Sequence, residues 1–275
     1  MKHMILVGDP GCGKSTLLNA LCGNVSFEAG LSRGSGLTKA LDSKVINGKR
    51  YSDTPGLDDT KHRKAAAVAI QNAVQWGGNV KLIFVITVEA GRIRASNLAT
   101  MRIVLKALLA AGVVVDRRFS VLINKMSAGE LRLWGNPLTT GARVFRDQVE
   151  CVYQPDQLFY VPEDKRLKDI KNGEFPAEHK NVLVTAISKM RVMGVKPGLH
   201  IDVSVEDFRA KVEQMEEELA ELRAKNGSKW ESFKNLAKGA GNVADDAVKV
   251  AGDVVGGLAL GAAAAGAILL VPFGL

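Results

Sequence analysis

The sequence predicts an α/β fold: a mostly parallel sheet with one antiparallel edge strand, then a C-terminal helix and an apolar tail. Three observations carry this expectation. Strand-like and helix-like segments alternate over the first two hundred residues, as they do where helices cross between parallel strands. A glycine-rich stretch, Gly8-Asp9-Pro10-Gly11-Cys12-Gly13-Lys14-Ser15, separates an apolar run from a helix-forming one. Asn47-Gly48 joins two short strand-like runs and favours the tight turn of an antiparallel hairpin.

Taken in order, Met4-Ile5-Leu6-Val7 suits a buried strand, and residues 14–22 continue from the glycine-rich stretch as a helix. The hairpin strands are 41–46 and 49–53. Further strands are expected at 80–88, 119–123 and 157–161, and helices at 60–75, 96–110, about 139–151 and 177–191. These segments make one domain over 1–200. Beyond Pro197-Gly198, Ser204 and Asp207 read as the two ends of a capping box. Val205, Phe208, Val212, Met215, Leu219 and Leu222 then recur at helical spacing, and Asn226-Gly227 closes the segment. This amphipathic helix, 201–227, is too short for a coiled coil and is expected to lay its apolar side on the domain before it. The tail, 228–275, is the third unit. From Val254 onward it carries no charge and is long enough to cross a bilayer core of about 30 Å, which makes it a candidate membrane anchor.

Composition bounds the rest. With 47% apolar and 24% charged residues, the chain can bury a sizeable core. Cys12, Cys22 and Cys151 have neither paired nor metal-ligand spacing, which fits a reducing compartment. Met1 leads straight into the first strand, so a cytoplasmic protein without a leader peptide is expected, anchored to the cytosolic face of an intracellular membrane. The net charge of +8 is dispersed, and no aromatic-interleaved basic motif accompanies it, so no specific nucleic acid is expected. His3, His62, His179 and His200 lie far apart without metal spacing, which leaves Mg²⁺ as the expected metal.

Chemistry concentrates in three motifs. Gly8, Gly13, Lys14 and Ser15 have the spacing of a phosphate-binding loop. Backbone N–H groups of Gly11, Cys12, Gly13, Lys14, Ser15 and Thr16 would curl around an anion at the helix N-terminus. Lys14 would neutralise the outer phosphates, and the Ser15 hydroxyl would ligate Mg²⁺. Asp53-Thr54-Pro55-Gly56 ends a predicted strand and resembles the Asp-x-x-Gly turn that in P-loop GTPases puts the Asp near Mg²⁺ and the Gly amide against the γ-phosphate. Thr38 lies between these two motifs and is placed to complete the metal shell when a γ-phosphate is present. The predicted metal set is therefore Ser15, Thr38 and Asp53. The third motif, Asn124-Lys125-Met126-Ser127 after a buried strand, resembles the guanine-reading Asn-Lys-x-Asp of GTPases, with Ser127 where the carboxylate should be. Serine is a weaker acceptor, because charge-assisted hydrogen bonds are roughly twice as strong as neutral ones.

These motifs, with Leu37-Thr38-Lys39 and Glu89-Ala90-Gly91-Arg92-Ile93-Arg94, resemble the immunity-associated (GIMAP-type, avirulence-induced) P-loop GTPases, relatives of septins and chloroplast import receptor GTPases. The resemblance covers about residues 4–165. It implies GTP/GDP and Mg²⁺ as cofactors, with Asn124 tethering its loop and the Lys125 stem lying over the base. It also implies a switch or scaffold that forms a homodimer or oligomer through the nucleotide face at an intracellular membrane. Leu57 follows the Asp-Thr-Pro-Gly turn, where Ras-like enzymes place the glutamine that orients water, so hydrolysis should be slow. Arg92 and Arg94 are then the candidates for a group donated in trans. The expected catalytic set is Lys14, Thr38, Gly56 and Arg92. Two alternatives stand beside this reading: a nucleotide-promiscuous ATPase or NTPase, suggested by Ser127, and a non-hydrolysing nucleotide-bound scaffold, suggested by Leu57.

Overall fold

A computed structural model describes residues 2–29, 38–89, 92–127, 129–131, 146–150, 152–163 and 177–225. The tail 228–275 and most of the helix expected at 139–151 lie outside these residues. So do 30–37, including Gly34, Ser35, Gly36 and Leu37 of the stretch before Thr38.

Among the described residues, eight strands form one sheet around a central β1 (Lys2–Val7). Its neighbours are β3 (Lys49–Asp53) and β4 (Gly78–Glu89), both parallel to it. The hairpin partner β2 (Asp42–Ile46) closes one edge antiparallel to β3, and the turn residues Asn47 and Gly48 both have positive φ, as the Asn-Gly pair predicts. On the other side β6 (Phe119–Met126) and β7 (Gln157–Pro162) continue the parallel order. The antiparallel edge strand is there, but two further antiparallel pairs accompany it. A two-residue β5 (Arg92–Ile93) and a three-residue β8 (Met193–Val195) both pair with β4.

Alternation along the strands divides the core into two layers. Ile5 and Val7 of β1, with Val80, Leu82, Phe84 and Ile86 of β4, face α2 (Arg63–Gln75) and α3 (Ala95–Ala110). Met4 and Leu6, with Ile83 and Val85, face α1 (Lys14–Cys22) and α4 (Ala177–Lys189). One residue of slip would exchange the two sets, so this pattern fixes the register.

The C-terminal helix α5 (Phe208–Lys225) buries Phe208, Met215 and Leu219 in the larger layer, packed along α3. Arg102 of α3 grips Glu218 with both guanidinium nitrogens, at 2.7 and 2.5 Å. The helix starts at Phe208, so Ser204 lies too far upstream to cap it. No helix among the described residues is long and apolar enough to cross a membrane.

The consequence for function is positional. From β1 the chain runs outward to the β2–β3 edge and then returns to the opposite side of β1 as β4. A crevice therefore opens beyond the C-terminal end of β1, where open α/β sheets hold their ligands.

Candidate functional site: a phosphate loop and its three satellites

The loop 8–15 leaves β1 at Val7 and enters α1 at Lys14, directly over that crevice. Gly13, the residue before the helix, has φ 96°. L side chains avoid that region, and a Cβ there would stand 2.5 Å from Asn124 Nδ2. Glycine is thus required twice over, by the turn and by its neighbour. Lys14 is buried, and its ammonium donates to the carbonyls of Gly8 at 2.9 Å and Asp9 at 3.0 Å. Its charge is held inside the loop's curl. Gly11 is exposed at the loop's mouth, and Thr16 is half-buried in the first turn of α1.

The predicted metal set converges. Ser15 Oγ donates to Asp53 Oδ2 at 2.6 Å, and Thr38 Oγ1 donates to the same oxygen at 3.0 Å. The two hydroxyls lie 3.4 Å apart. Asp53 ends β3 beside Leu6 of β1, and it is almost wholly buried. Its second oxygen, Oδ1, is buried with no hydrogen-bond partner. Burial pushes its pKa up, and the Lys14 charge with the Ser15 and Thr38 hydroxyls pulls the other way. A buried carboxylate with an orphaned oxygen, beside two hydroxyls, has the donor chemistry of a hard divalent cation site. These residues fit Mg²⁺.

The turn after Asp53 presses on the loop. Thr54 Oγ1 donates to the Leu6 carbonyl at 2.8 Å, and a Cβ on Gly56 would collide with the backbone nitrogen and ring of Pro10. Only glycine lets the two segments approach this closely. Leu57, next in line, is fully buried in the core and has no reach to solvent. Arg63 Nε donates to the Leu57 carbonyl at 2.8 Å while its guanidinium stacks on Phe208 of α5.

The third motif ties β6 back to the loop. Asn124 Nδ2 donates to the Cys12 carbonyl at 2.9 Å, and Lys125 Nζ donates to the Gly11 carbonyl at 2.8 Å. Asn124 therefore tethers the loop as the resemblance implies. Lys125, at φ 60°, lays its chain alongside Gly13.

The arginines of the 89–94 segment part ways. Arg94 faces Asp58 at 3.5 Å and Glu89 at 3.6 Å, next to the Gly56 turn. Arg92 is exposed on β5, and its charge adds to burial in lowering the pKa of Arg223 of α5. Cys12 is buried, and burial raises its thiol pKa, which disfavours the reactive thiolate.

Sequence reasoning passed over Asp9. Its carboxylate is buried inside the loop, with Oδ2 accepting from Ser96 Oγ at 2.7 Å and Oδ1 unpartnered. Burial raises its pKa from 3.8 to about 6, against the pull of the Ser96 hydrogen bond. The folded protein thus holds this proton more tightly than the unfolded chain does. The charged form costs stability above about pH 6, and that cost fades as pH falls towards 3.8. Asp9→Asn keeps an acceptor for Ser96 and removes the charge. It should stabilise the nucleotide-free protein by up to about 3 kcal/mol at pH 7.5. Melting curves should show the gain shrinking towards pH 4; an unchanged melting temperature at pH 7.5 contradicts the assignment.

Comparison with known proteins agrees with this geometry. Residues 3–125 match the family model described as a 50S ribosome-binding GTPase. No curated protein matches the sequence. Among solved structures, the chain is similar to a dimerization-deficient mutant of Toc33 from Arabidopsis thaliana, with 13% identity and a TM-score of 0.44. That match covers 70% of this chain and 87% of that one. NFeoB from S. thermophilus, bound to GDP.AlF4- and K+, is similar with 12% identity and a TM-score of 0.35, over 88% of this chain and 91% of that one. Translation elongation factor SelB from Methanococcus maripaludis, in complex with a GTP analogue, is similar with 12% identity and a TM-score of 0.38. Here the coverage is 69% of this chain and 34% of that one. The family match and the loop geometry together give residues 3–125 the fold of a P-loop GTPase domain.

Proposed function

We propose that the chain binds GTP and GDP with Mg²⁺ and works as a slow GTPase switch that assembles through its nucleotide face. One observation carries this reading: Ser15, Thr38 and Asp53, from three separate segments, meet beside the buried Lys14 ammonium. When bound, the metal would neutralise phosphate charge there. Ser15 and Asp53 belong to the rigid helix start and strand end. Thr38 lies between the two motifs and outside any helix or strand, so it is the member suited to report the γ-phosphate. Buried Leu57 supports slow turnover, because an alkyl side chain in the core cannot orient water. The finer likeness to the immunity-associated GTPases rests on the Glu89–Arg94 box.

The test is the metal dependence of binding by the full chain. Removing Mg²⁺ with EDTA should weaken the non-hydrolysable triphosphate more than the diphosphate, because only the triphosphate engages Thr38. Equal weakening of both contradicts the switch.

A further inference from the structure

The guanine-reading motif lacks its carboxylate at Ser127, yet a carboxylate stands beside that residue. Ser127 and Glu130 exchange hydrogen bonds: the Ser127 N–H donates to Glu130 Oε2 at 2.8 Å, and the Glu130 N–H donates to Ser127 Oγ at 3.2 Å. Two facts follow from this reciprocal pair. The serine hydroxyl is already an acceptor for the backbone, which leaves it poorly disposed to accept from a base. The Glu130 carboxylate is anchored through one oxygen against the backbone nitrogen of the residue that should have carried the acid. Its other oxygen, Oε1, has no partner among the described residues.

The surroundings tie the segment that carries this group to the phosphate loop. Asn124 and Lys125 both reach back to loop carbonyls, at 2.9 and 2.8 Å, so the C-terminal end of β6 is clamped to the phosphate loop. Just past β7, the Glu163 N–H donates to the Met126 carbonyl at 2.9 Å and holds the same strand end. Ser127, exposed, follows this doubly held strand end, and Glu130 folds back onto it.

We propose that Glu130 supplies the carboxylate that accepts from N1–H and the 2-amino group of guanine, replacing the aspartate absent at position 127. The proposal rests on the guanine-nucleotide reading and makes Glu130 a specificity residue of that site. A carboxylate is acceptor-only, so it favours a base with two donors on that edge and disfavours adenine, which presents none there in the same arrangement.

The discriminating variant is Glu130→Gln. Glutamine still accepts from the Ser127 N–H, since either residue closes a capping box, so the turn is preserved. Its amide now presents donors as well, which suit xanthine, whose position 2 carries an oxygen instead of an amino group. Equilibrium titrations of the full chain with GTP, XTP and ATP, in Mg²⁺, read the outcome. Glu130→Gln should lower the GTP-over-XTP affinity ratio by about tenfold or more, the size expected when hydrogen bonds to a charged group are lost. The double variant Ser127→Asp with Glu130→Gln should restore guanine preference by returning a carboxylate to position 127. A wild-type ratio in Glu130→Gln means that Glu130 only caps the turn, and it overturns the proposal while leaving the guanine reading intact. Wild-type protein that binds GTP and ATP equally overturns both.

Discussion

Replacing Lys14 with alanine is expected to lower nucleotide affinity by at least about a hundredfold, the consequence of losing charge-assisted bonds to two phosphates. The ammonium is buried in the loop's curl, positioned by the Gly8 and Asp9 carbonyls. Among the described residues no other cation bonds to those carbonyls. Lys125 bonds to Gly11 on the exposed, base-side rim and cannot take over. The variant also deprives Asp9 and Asp53, both buried acids, of the Lys14 charge that lowers the pKa of each. Titration with a fluorescent triphosphate checks this, and wild-type affinity would sink the phosphate-loop assignment.

Hydrolysis should depend on protein concentration. Where Ras-like enzymes place the water-orienting glutamine the chain has Leu57, whose side chain lies in the core and whose carbonyl is held by Arg63. Among the described residues of one protomer, no side chain besides Lys14 is held in the loop to offset γ-phosphate charge. Arg94, at the Gly56 turn, and Arg92, further along β5, are the groups a second copy would bring to the nucleotide face. An arginine donated in trans contributes around 10³-fold or more to phosphoryl transfer. Single-turnover rates should climb steeply across a hundredfold rise in protein concentration, and Arg92→Ala or Arg94→Ala should flatten that climb. A specific rate independent of concentration contradicts activation by a partner copy.

Much of this site is written in local spacing, which explains why it was legible. The loop 8–15, the Asp53–Gly56 turn and Asn124-Lys125 each combine a fixed residue spacing with a flanking strand, and the fold brings them together at the end of β1. Long strands were equally legible because their apolar runs admit one periodicity. Elements of two and three residues, β5 and β8, carry no period at all and exist only because β4 is long enough to pair them. The helix expected from residue 60 starts at Arg63, because Asp59 holds the Lys61 and His62 N–H groups in a turn first. Asp9 was illegible for another reason. Its slot in the loop motif accepts many residues, and its burial depends on Ser96, which is distant in sequence. Glu130 did leave a signal, the Ser-x-x-Glu spacing of a capping box directly after the incomplete base-reading motif.

The account stands most directly on which nucleotide the site prefers. Calorimetric titration of the full chain with GTP and ATP, each with saturating Mg²⁺, measures that preference without assuming any rate. Tighter binding of GTP, with the difference abolished in a site whose Asn124 and Lys125 tethers are both replaced by alanine, is the predicted result. Binding of ATP as tight as that of GTP, or no binding of either, would contradict it.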